Sequence, residues 1–154
     1  SAAGAGCSMA LQCDLVVASD NSRFSEIFSK RGLSLDGGSS WLLPRLVGMH
    51  KAKELAFFAE TLSGAEAAGI GLVNRVVPDD ELDAFVDDWA RRLADGPPLA
   101  LSMTKRLLHG SAVVSMAQAL EDEARSQTVN FGTADTAEAM RAFAEKRDPH
   151  FEGR

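Results

Sequence analysis

Residues 30–48 read Lys30-Arg31-Gly32-Leu33-Ser34-Leu35-Asp36-Gly37-Gly38-Ser39-Ser40-Trp41-Leu42-Leu43-Pro44-Arg45-Leu46-Val47-Gly48. One acid, Asp36, precedes two glycines and two serines, and an apolar, helix-like segment runs from Ser39 to Val47. Glycine lets the backbone adopt positive φ and approach a ligand closely. Ser39 or Ser40 can cap the helix, whose first amides and dipole favour an anion. From these residues alone, Asp36 is either a site carboxylate or a capping acid in a surface turn.

A second glycine-rich turn lies at the start of the chain, where Ser1-Ala2-Ala3-Gly4-Ala5-Gly6-Cys7 leads into a predicted short helix. A strand over 15–18 is predicted to follow. The turn is not a dinucleotide-binding fingerprint, because Met9 stands at the third glycine position. Small residues before a helix N-terminus can still direct backbone amides at a developing oxyanion.

The remaining pattern predicts a short strand over 23–25, another over 72–77, and helices for most of the rest. The helices are predicted over 39–47, 50–59, 79–94, 99–109 and 112–130, with capping-box patterns at Ser63–Glu66 and Asp135–Glu138. Three short strands are too few for a self-sufficient sheet beside so many helices. The chain is therefore expected to be the second half of a domain.

Together the two turns and the text after them resemble the crotonase superfamily, also called the enoyl-CoA hydratase/isomerase family. The matching segments are Ala2–Cys7, Cys13–Leu15, Phe24, Gly32-Leu33, Gly37-Gly38, Leu43–Gly48, Ala52–Leu55, Gly71–Pro78, Pro97–Ala100 and Ala142–Arg147. They occur in order over nearly the whole chain. They cover only the C-terminal part of that family's domain.

The resemblance implies an α/β fold in which residues 1–96 form the C-terminal part of a spiral of ββα units. Residues 97–154 would then form a helical region that builds trimers and covers the active site. The N-terminal half of the domain, absent here, would supply the other strands, the first oxyanion-hole amide and much of the adenine pocket. A homotrimer or hexamer is the expected assembly.

Composition sets limits on compartment and partners. The chain has 154 residues, of which 45% are hydrophobic and 25% charged, as is typical of soluble globular proteins. No apolar run approaches the ~20 residues that span a bilayer, and a net charge of −6 argues against nucleic acid as a partner. Cys7 and Cys13 are interpreted as small buried thiols in a reducing, cytoplasmic compartment. Three scattered histidines predict no metal site.

The family's shared chemical step implies a backbone role for the first turn. Its members stabilise an enolate-like anion on the thioester carbonyl of an acyl-CoA, so coenzyme A is part of the substrate and no separate cofactor is expected. By the resemblance, one oxyanion-hole amide belongs to Ala5, with Gly6 as its neighbour. The alternative is that Gly4-Ala5-Gly6 only lets the helix pack closely.

Acid and base residues distinguish the members of the family. Hydratases carry two glutamates at positions that hold Ser8 and Phe28 in this chain. Asp36 remains, in the place where phenylacetyl-type isomerases carry an aspartate, and it is the expected general acid/base of a double-bond isomerisation. A nucleophilic Asp36, a water-activating Glu26 and a non-catalytic acyl-CoA-binding remnant are the alternatives.

Further residues are predicted to contact the substrate. The backbone of Gly4, Gly6 and Gly37 is expected beside it, and Phe28, Trp41 and Phe143 are candidates for the acyl pocket. Lys146 is a candidate for a CoA phosphate. Each has an ordinary alternative, since aromatic residues commonly fill cores and a cation near a helix C-terminus complements the dipole.

Overall fold

The computed structural model describes residues 1–154 and contains five short strands and eight α-helices. The strands are β1 Ala2–Ala3, β2 Val17–Ser19, β3 Arg23–Ser25, β4 Leu62–Ser63 and β5 Arg75–Val77. The helices are α1 Ala5–Leu11, α2 Ser39–Val47, α3 Met49–Phe58, α4 Gly64–Gly69, α5 Leu82–Ala94, α6 Pro98–Ser111, α7 Met116–Phe131 and α8 Ala134–Glu145. Short 3₁₀ turns cover Ile27–Arg31 and Asp79–Glu81.

The chain forms two compact units, Ser1–Asp87 and Asp88–Arg154. The first holds all five strands, and the second is helical. The mixed α/β class predicted from the sequence is thereby confirmed. The predicted division into residues 1–96 and 97–154 stays a prediction.

Two small sheets organise the first unit. In one, β1 pairs in parallel with β3, and β3 pairs antiparallel with β4. In the other, β2 pairs in parallel with β5. The pairing of Ala3 with Ser25 continues into a hydrogen bond of 2.8 Å from the Gly4 N–H to the Ser25 carbonyl. That bond fixes the start of α1 beside the end of β3.

An apolar core lies beneath the helices of the first unit. It consists of Cys7, Leu11, Ala18, Phe24, Leu43, Ala52, Leu55, Ala67, Leu72 and Val73. Leu43 is fully buried on α2, and Ala52 and Leu55 are buried on α3 as their spacing predicts. This core holds α1, α2 and α3 in one unit.

Helix α2 has the bounds predicted from the sequence, but its N-terminus is built differently. The N-cap is Gly38, in the left-handed region at φ 81°, and no side chain caps the helix. The Ser39 hydroxyl instead donates to the Asp36 carbonyl at 2.8 Å. Serine capping of α2 was therefore the wrong prediction, because the Ser39 side chain turns back to the preceding loop.

Of the other local predictions, one is confirmed and two are wrong. The capping box at Ser63 is confirmed, with reciprocal hydrogen bonds between Ser63 and Glu66. The one at Asp135 is wrong: Thr133 is the N-cap of α8, and the Asp135 carboxylate accepts the N–H groups of Glu152 and Gly153 at 2.8 and 3.0 Å. Cys13 is exposed rather than buried, although both cysteines are free thiols.

The second unit buries few side chains. Helix α7 packs between α6 and α8, and a cavity of about 540 Å³ lies between α6 and α7. Their helical spacing predicts a buried face for several apolar residues, but the structure leaves them exposed, namely Val113, Met116, Leu120, Met140 and Phe143. None of the helices is long and apolar enough to span a lipid bilayer.

Candidate active site

The first glycine-rich turn presents free backbone amides. Gly4 has φ 54°, which favours glycine, and α1 begins at the next residue. The N–H groups of Ala5 and Gly6 lie in the first turn of α1, where no intrahelical acceptor is available. Both residues are exposed. The turn can therefore offer one or two amide donors to an oxygen atom outside it.

The Asp36 turn is closed by its own backbone. The Asp36 carbonyl accepts both the N–H and the hydroxyl of Ser39, at 3.1 and 2.8 Å. Gly37 and Gly38 follow at φ 55° and 81°, a region that side chains disfavour. The Asp36 side chain is exposed. Its carboxylate is thus held on a defined turn and is open to a ligand.

Direct contacts join α1 and its C-cap residue Gln12 to the Asp36 turn. The Gln12 Nε2–H donates to the Gly37 carbonyl at 2.8 Å. A Cβ placed on Gly37 would lie 2.9 Å from the Cβ of Ser8, so no side chain fits there without movement. Ser8 is fully buried, and its hydroxyl donates to the Gly4 carbonyl at 3.3 Å. Helix α1 therefore carries the amide turn at one end and supports the Asp36 turn along its side.

Glu26, which sequence reasoning ranked below Asp36, is a buried acid. Its side chain is 2% exposed, and neither carboxylate oxygen has a hydrogen-bond partner of good geometry. Burial raises the pKa of Glu26, the charge of Asp36 raises it further, and the nearby Cys7 thiol and Ser39 hydroxyl lower it. Burial and the neighbouring Glu26 carboxylate raise the pKa of the Cys7 thiol to about 12. A carboxyl group without a partner in this position favours its neutral form.

Two predicted acyl-pocket residues lie near these turns. Phe28 is buried, and its ring would lie 3.7 Å from a Cβ placed on Gly4. Trp41, on the first turn of α2, is 46% exposed, and the Arg45 guanidinium lies 3.9 Å above its ring. Phe28 therefore packs behind the amide turn, whereas Trp41 offers an open aromatic surface close in sequence to Asp36.

The other two predicted ligand residues belong to the second unit. Phe143, on α8, is 84% exposed. Lys146 ends that helix in the left-handed region at φ 55°, and its side chain is exposed. The next residue, Arg147, is paired with Glu138 and Glu145, and its guanidinium lowers the pKa of Glu138 to about 2. Lys146 is thus the freer of the two cations.

The family model described as enoyl-CoA hydratase/isomerase matches residues 1–154. The chain belongs to the enoyl-CoA hydratase/isomerase family. It is 40% identical over 153 residues to a Rhodobacter capsulatus protein named "Probable enoyl-CoA hydratase", with 99% of this chain and 60% of the relative covered. It is 36% identical over 153 residues to the 1,2-epoxyphenylacetyl-CoA isomerase of Escherichia coli K12, with 99% of this chain and 58% of the relative covered.

Solved structures of the family share the fold. The crystal structure of an enoyl-CoA hydratase from Polaromonas sp. JS666 matches with a TM-score of 0.93 at 35% identity, covering 98% of this chain and 59% of that one. The resemblance to the crotonase superfamily is confirmed. The chain spans about 60% of the length of the relatives it matches.

The sequence pattern indicated neither the contact of Gln12 nor the burial of Glu26. Gln12 reaches a carbonyl 25 residues away, so no local pattern indicates its contact. Residues two apart on a strand share one face of the sheet, so the buried Phe24 was a signal that Glu26 is also buried. The alternation could not be relied on at Glu26, because β3 ends at Ser25 and a 3₁₀ turn begins at Ile27.

The contact between Gly37 and Ser8 predicts a large effect for Gly37→Ala. The left-handed backbone costs a side chain about 1–2 kcal/mol, and overpacking against Ser8 adds about 1–3 kcal/mol. Urea unfolding of the full-length protein measures the sum. Gly38→Ala is the matched control, because φ is also positive there and the added Cβ meets nothing within 4 Å. Gly38→Ala should lower the free energy of unfolding only by the cost of the left-handed backbone.

A double variant separates the two costs. Ser8→Gly removes the Cβ that Gly37→Ala would strike. The combination should therefore be less destabilised than the sum of the single variants, which a double-mutant cycle measures. Strict additivity, or equal losses for Gly37→Ala and Gly38→Ala, would contradict the contact as the cause.

Proposed function

We propose that this chain carries the acid/base half of an acyl-CoA isomerase that moves a carbon–carbon double bond along an enoyl-CoA thioester. The observation that carries the proposal is the exposed Asp36 turn, fixed against the helix whose first amides are free, by Gln12 and Ser8. By the family resemblance, Ser8 and Phe28 stand where hydratases carry their two glutamates. Asp36 is then the acid suited to carry a proton between two carbons.

The proposed reaction conserves all atoms of the substrate. The Asp36 carboxylate removes a proton from the carbon next to the double bond or the thioester, and the electron pair moves onto the thioester oxygen. The Ala5 amide, with a second donor from the rest of the domain, stabilises that enolate. The Asp36 carboxylic acid then returns the proton to the other end of the conjugated system, and the oxygen regains its carbonyl.

The acyl-CoA is expected to extend beyond the Asp36 turn and the Ala5 amide. Trp41 provides an apolar surface for the acyl group, and Phe143 and Lys146 remain candidates for the acyl group and a CoA phosphate. We also propose that the rest of the family's domain completes the site. A homotrimer or hexamer, as the family resemblance implies, is part of the proposal, and the exposed apolar residues of α7 and α8 offer a surface for contacts between copies.

Hydration of the same substrates is the second candidate, since a relative at 40% identity carries a hydratase name. It would need a second acid to activate water, and the nearest, Glu26, is 2% exposed. A non-catalytic acyl-CoA-binding or assembly protein is the third. The position of Asp36 on an open, supported turn favours isomerisation over both.

One incubation distinguishes the three. The full-length protein is mixed with 2-enoyl-, 3-enoyl- and aryl-CoA thioesters in deuterated water, and the products are analysed by mass spectrometry and NMR. Isomerisation should give a shifted double bond with deuterium at the carbons that exchange protons. Formation of 3-hydroxyacyl-CoA alone would replace the proposal with hydration, and tight CoA-thioester binding without exchange would favour the non-catalytic protein.

A further inference from the structure

Glu26 is a buried carboxyl group that the proposed reaction does not use. It lies between two helix starts: Cys7 is the third residue of α1, and Ser39 is the first residue of α2. Cys7 is 1% exposed and Ser39 is fully buried. Glu26 thus stands behind both turns, on the side away from solvent.

The charges around Glu26 offer it no counter-ion. It lines a small cavity of about 10 Å³ whose wall holds Cys7 from α1, Leu43 from α2 and Leu55 from α3, together with Glu60, and contains no Lys, Arg or His. Asp36 adds a second negative charge nearby. An isolated buried carboxylate is costly, and it is avoided when the group takes up a proton.

We propose that Glu26 is a positioning residue that acts as a neutral carboxylic acid linking the amide turn to the Asp36 turn. In this form its carbonyl oxygen accepts the Cys7 thiol, and its hydroxyl donates to the Ser39 oxygen. The Ser39 hydroxyl already donates to the Asp36 carbonyl. The resulting chain of hydrogen bonds runs from the first turn of α1 to the loop that carries the acid/base.

Neutrality also matters for the electrostatics of the site. A negative Glu26 behind the first turn of α1 would oppose the enolate that the turn is proposed to stabilise. A charged Glu26 would have only the Cys7 thiol and the Ser39 hydroxyl as nearby donors, and that hydroxyl already donates to the Asp36 carbonyl. This inference rests on the proposed function for its effect on turnover, but the protonated state itself can be tested without any substrate.

The sign of the pH dependence follows from the direction of the pKa shift. Burial raises the pKa of Glu26 above its ordinary value, so the neutral form persists to higher pH than in the unfolded chain. Turnover should be present below the raised pKa and fall as the pH rises through it. Because the folded state binds the extra proton, the free energy of unfolding should also fall over that range.

Glu26→Gln is the decisive variant, because an amide has the shape of the acid and cannot ionise. It should keep turnover at neutral pH and lose the fall at high pH. Glu26→Ala, which removes the link, should lower kcat by up to about 10²-fold, the cost of a small misplacement, with KM little changed. Glu60→Gln is the matched control: Glu60 lines the same cavity but is exposed, so its pH profile should match that of the wild type.

Infrared difference spectroscopy tests the protonation directly. The full-length protein at neutral pH should show the carbonyl band of a protonated carboxylic acid that is lost in Glu26→Gln and kept in Glu60→Gln. Absence of that band overturns the inference, as does a high-pH fall in turnover that survives in Glu26→Gln. If the band is present and the protein isomerises nothing, the proposed function fails while the neutral acid stands.

Discussion

Asp36→Asn should reduce isomerase turnover by roughly 10²–10⁴-fold, the usual contribution of a positioned acid or base. Asparagine keeps the size and polarity of the side chain but cannot remove a proton from carbon. The turn itself should persist, because Ser39 bonds to the backbone carbonyl of residue 36 rather than to its carboxylate. Steady-state kinetics should show the loss in kcat, with CoA-thioester binding and thermal unfolding close to wild type.

Glu26→Gln is the comparison for Asp36→Asn. It changes a second carboxylic acid near the same turn and should cost far less turnover at neutral pH. If Asp36→Asn stays within a few-fold of the wild type while Glu26→Gln abolishes turnover, the two roles are reversed. Glu26 would then act directly, as the water-activating hypothesis requires.

Ala5→Pro should reduce turnover by about 10²–10³-fold, equal to 2.7–4 kcal/mol of barrier, because it deletes one oxyanion donor. Ala5 is the first residue of α1, and proline is well tolerated at that position since its missing N–H has no intrahelical acceptor. Ala5 is exposed, and the proline Cδ would take the place of the amide hydrogen that faces the oxyanion. The loss should appear in kcat with little change in the free energy of unfolding.

Gly6→Ala and Gly6→Pro complete the experiment. Gly6→Ala keeps the amide, and its Cβ would meet nothing within 4 Å, so turnover should be retained. Gly6→Pro tests the neighbouring donor. A loss with Gly6→Pro but not with Ala5→Pro would move the oxyanion role by one residue, and full activity in both would remove the turn from the mechanism.

Local chemistry made part of the structure predictable. The two glycines after Asp36 and the apolar spacing from Ser39 to Val47 were sufficient for the bounds of α2, and the residue pattern at Ser63 was sufficient for the start of α4. In both places short-range sterics and capping determine the backbone. The family resemblance likewise rests on these turns and is confirmed by the match over residues 1–154.

Features that depend on distant residues were not predictable. Strands β1 and β4 have two residues each and exist because β3 lies between them. The choice of Thr133 over Asp135 as N-cap depends on the C-terminal tail, whose amides take the Asp135 carboxylate. The assignment of Asp36, Ala5 and the substrate contacts stays a prediction, because the chemistry of a site is measured with its substrate.

The close contact between Ser8 and Gly37 constrains how this lineage can change its reaction. By the family resemblance, a glutamate at position 8 would stand where hydratases carry one of their acids, but Ser8 is fully buried and Gly37 closes one side of it. The larger residue must displace the turn that carries Asp36, so the proposed acid/base would be misplaced by the same substitution that adds the second acid. Gly37 is already the smallest residue, so no substitution at position 37 can make room for a larger residue 8. The space must come from a shift of the backbone that carries Asp36, and the reaction cannot be changed at position 8 alone.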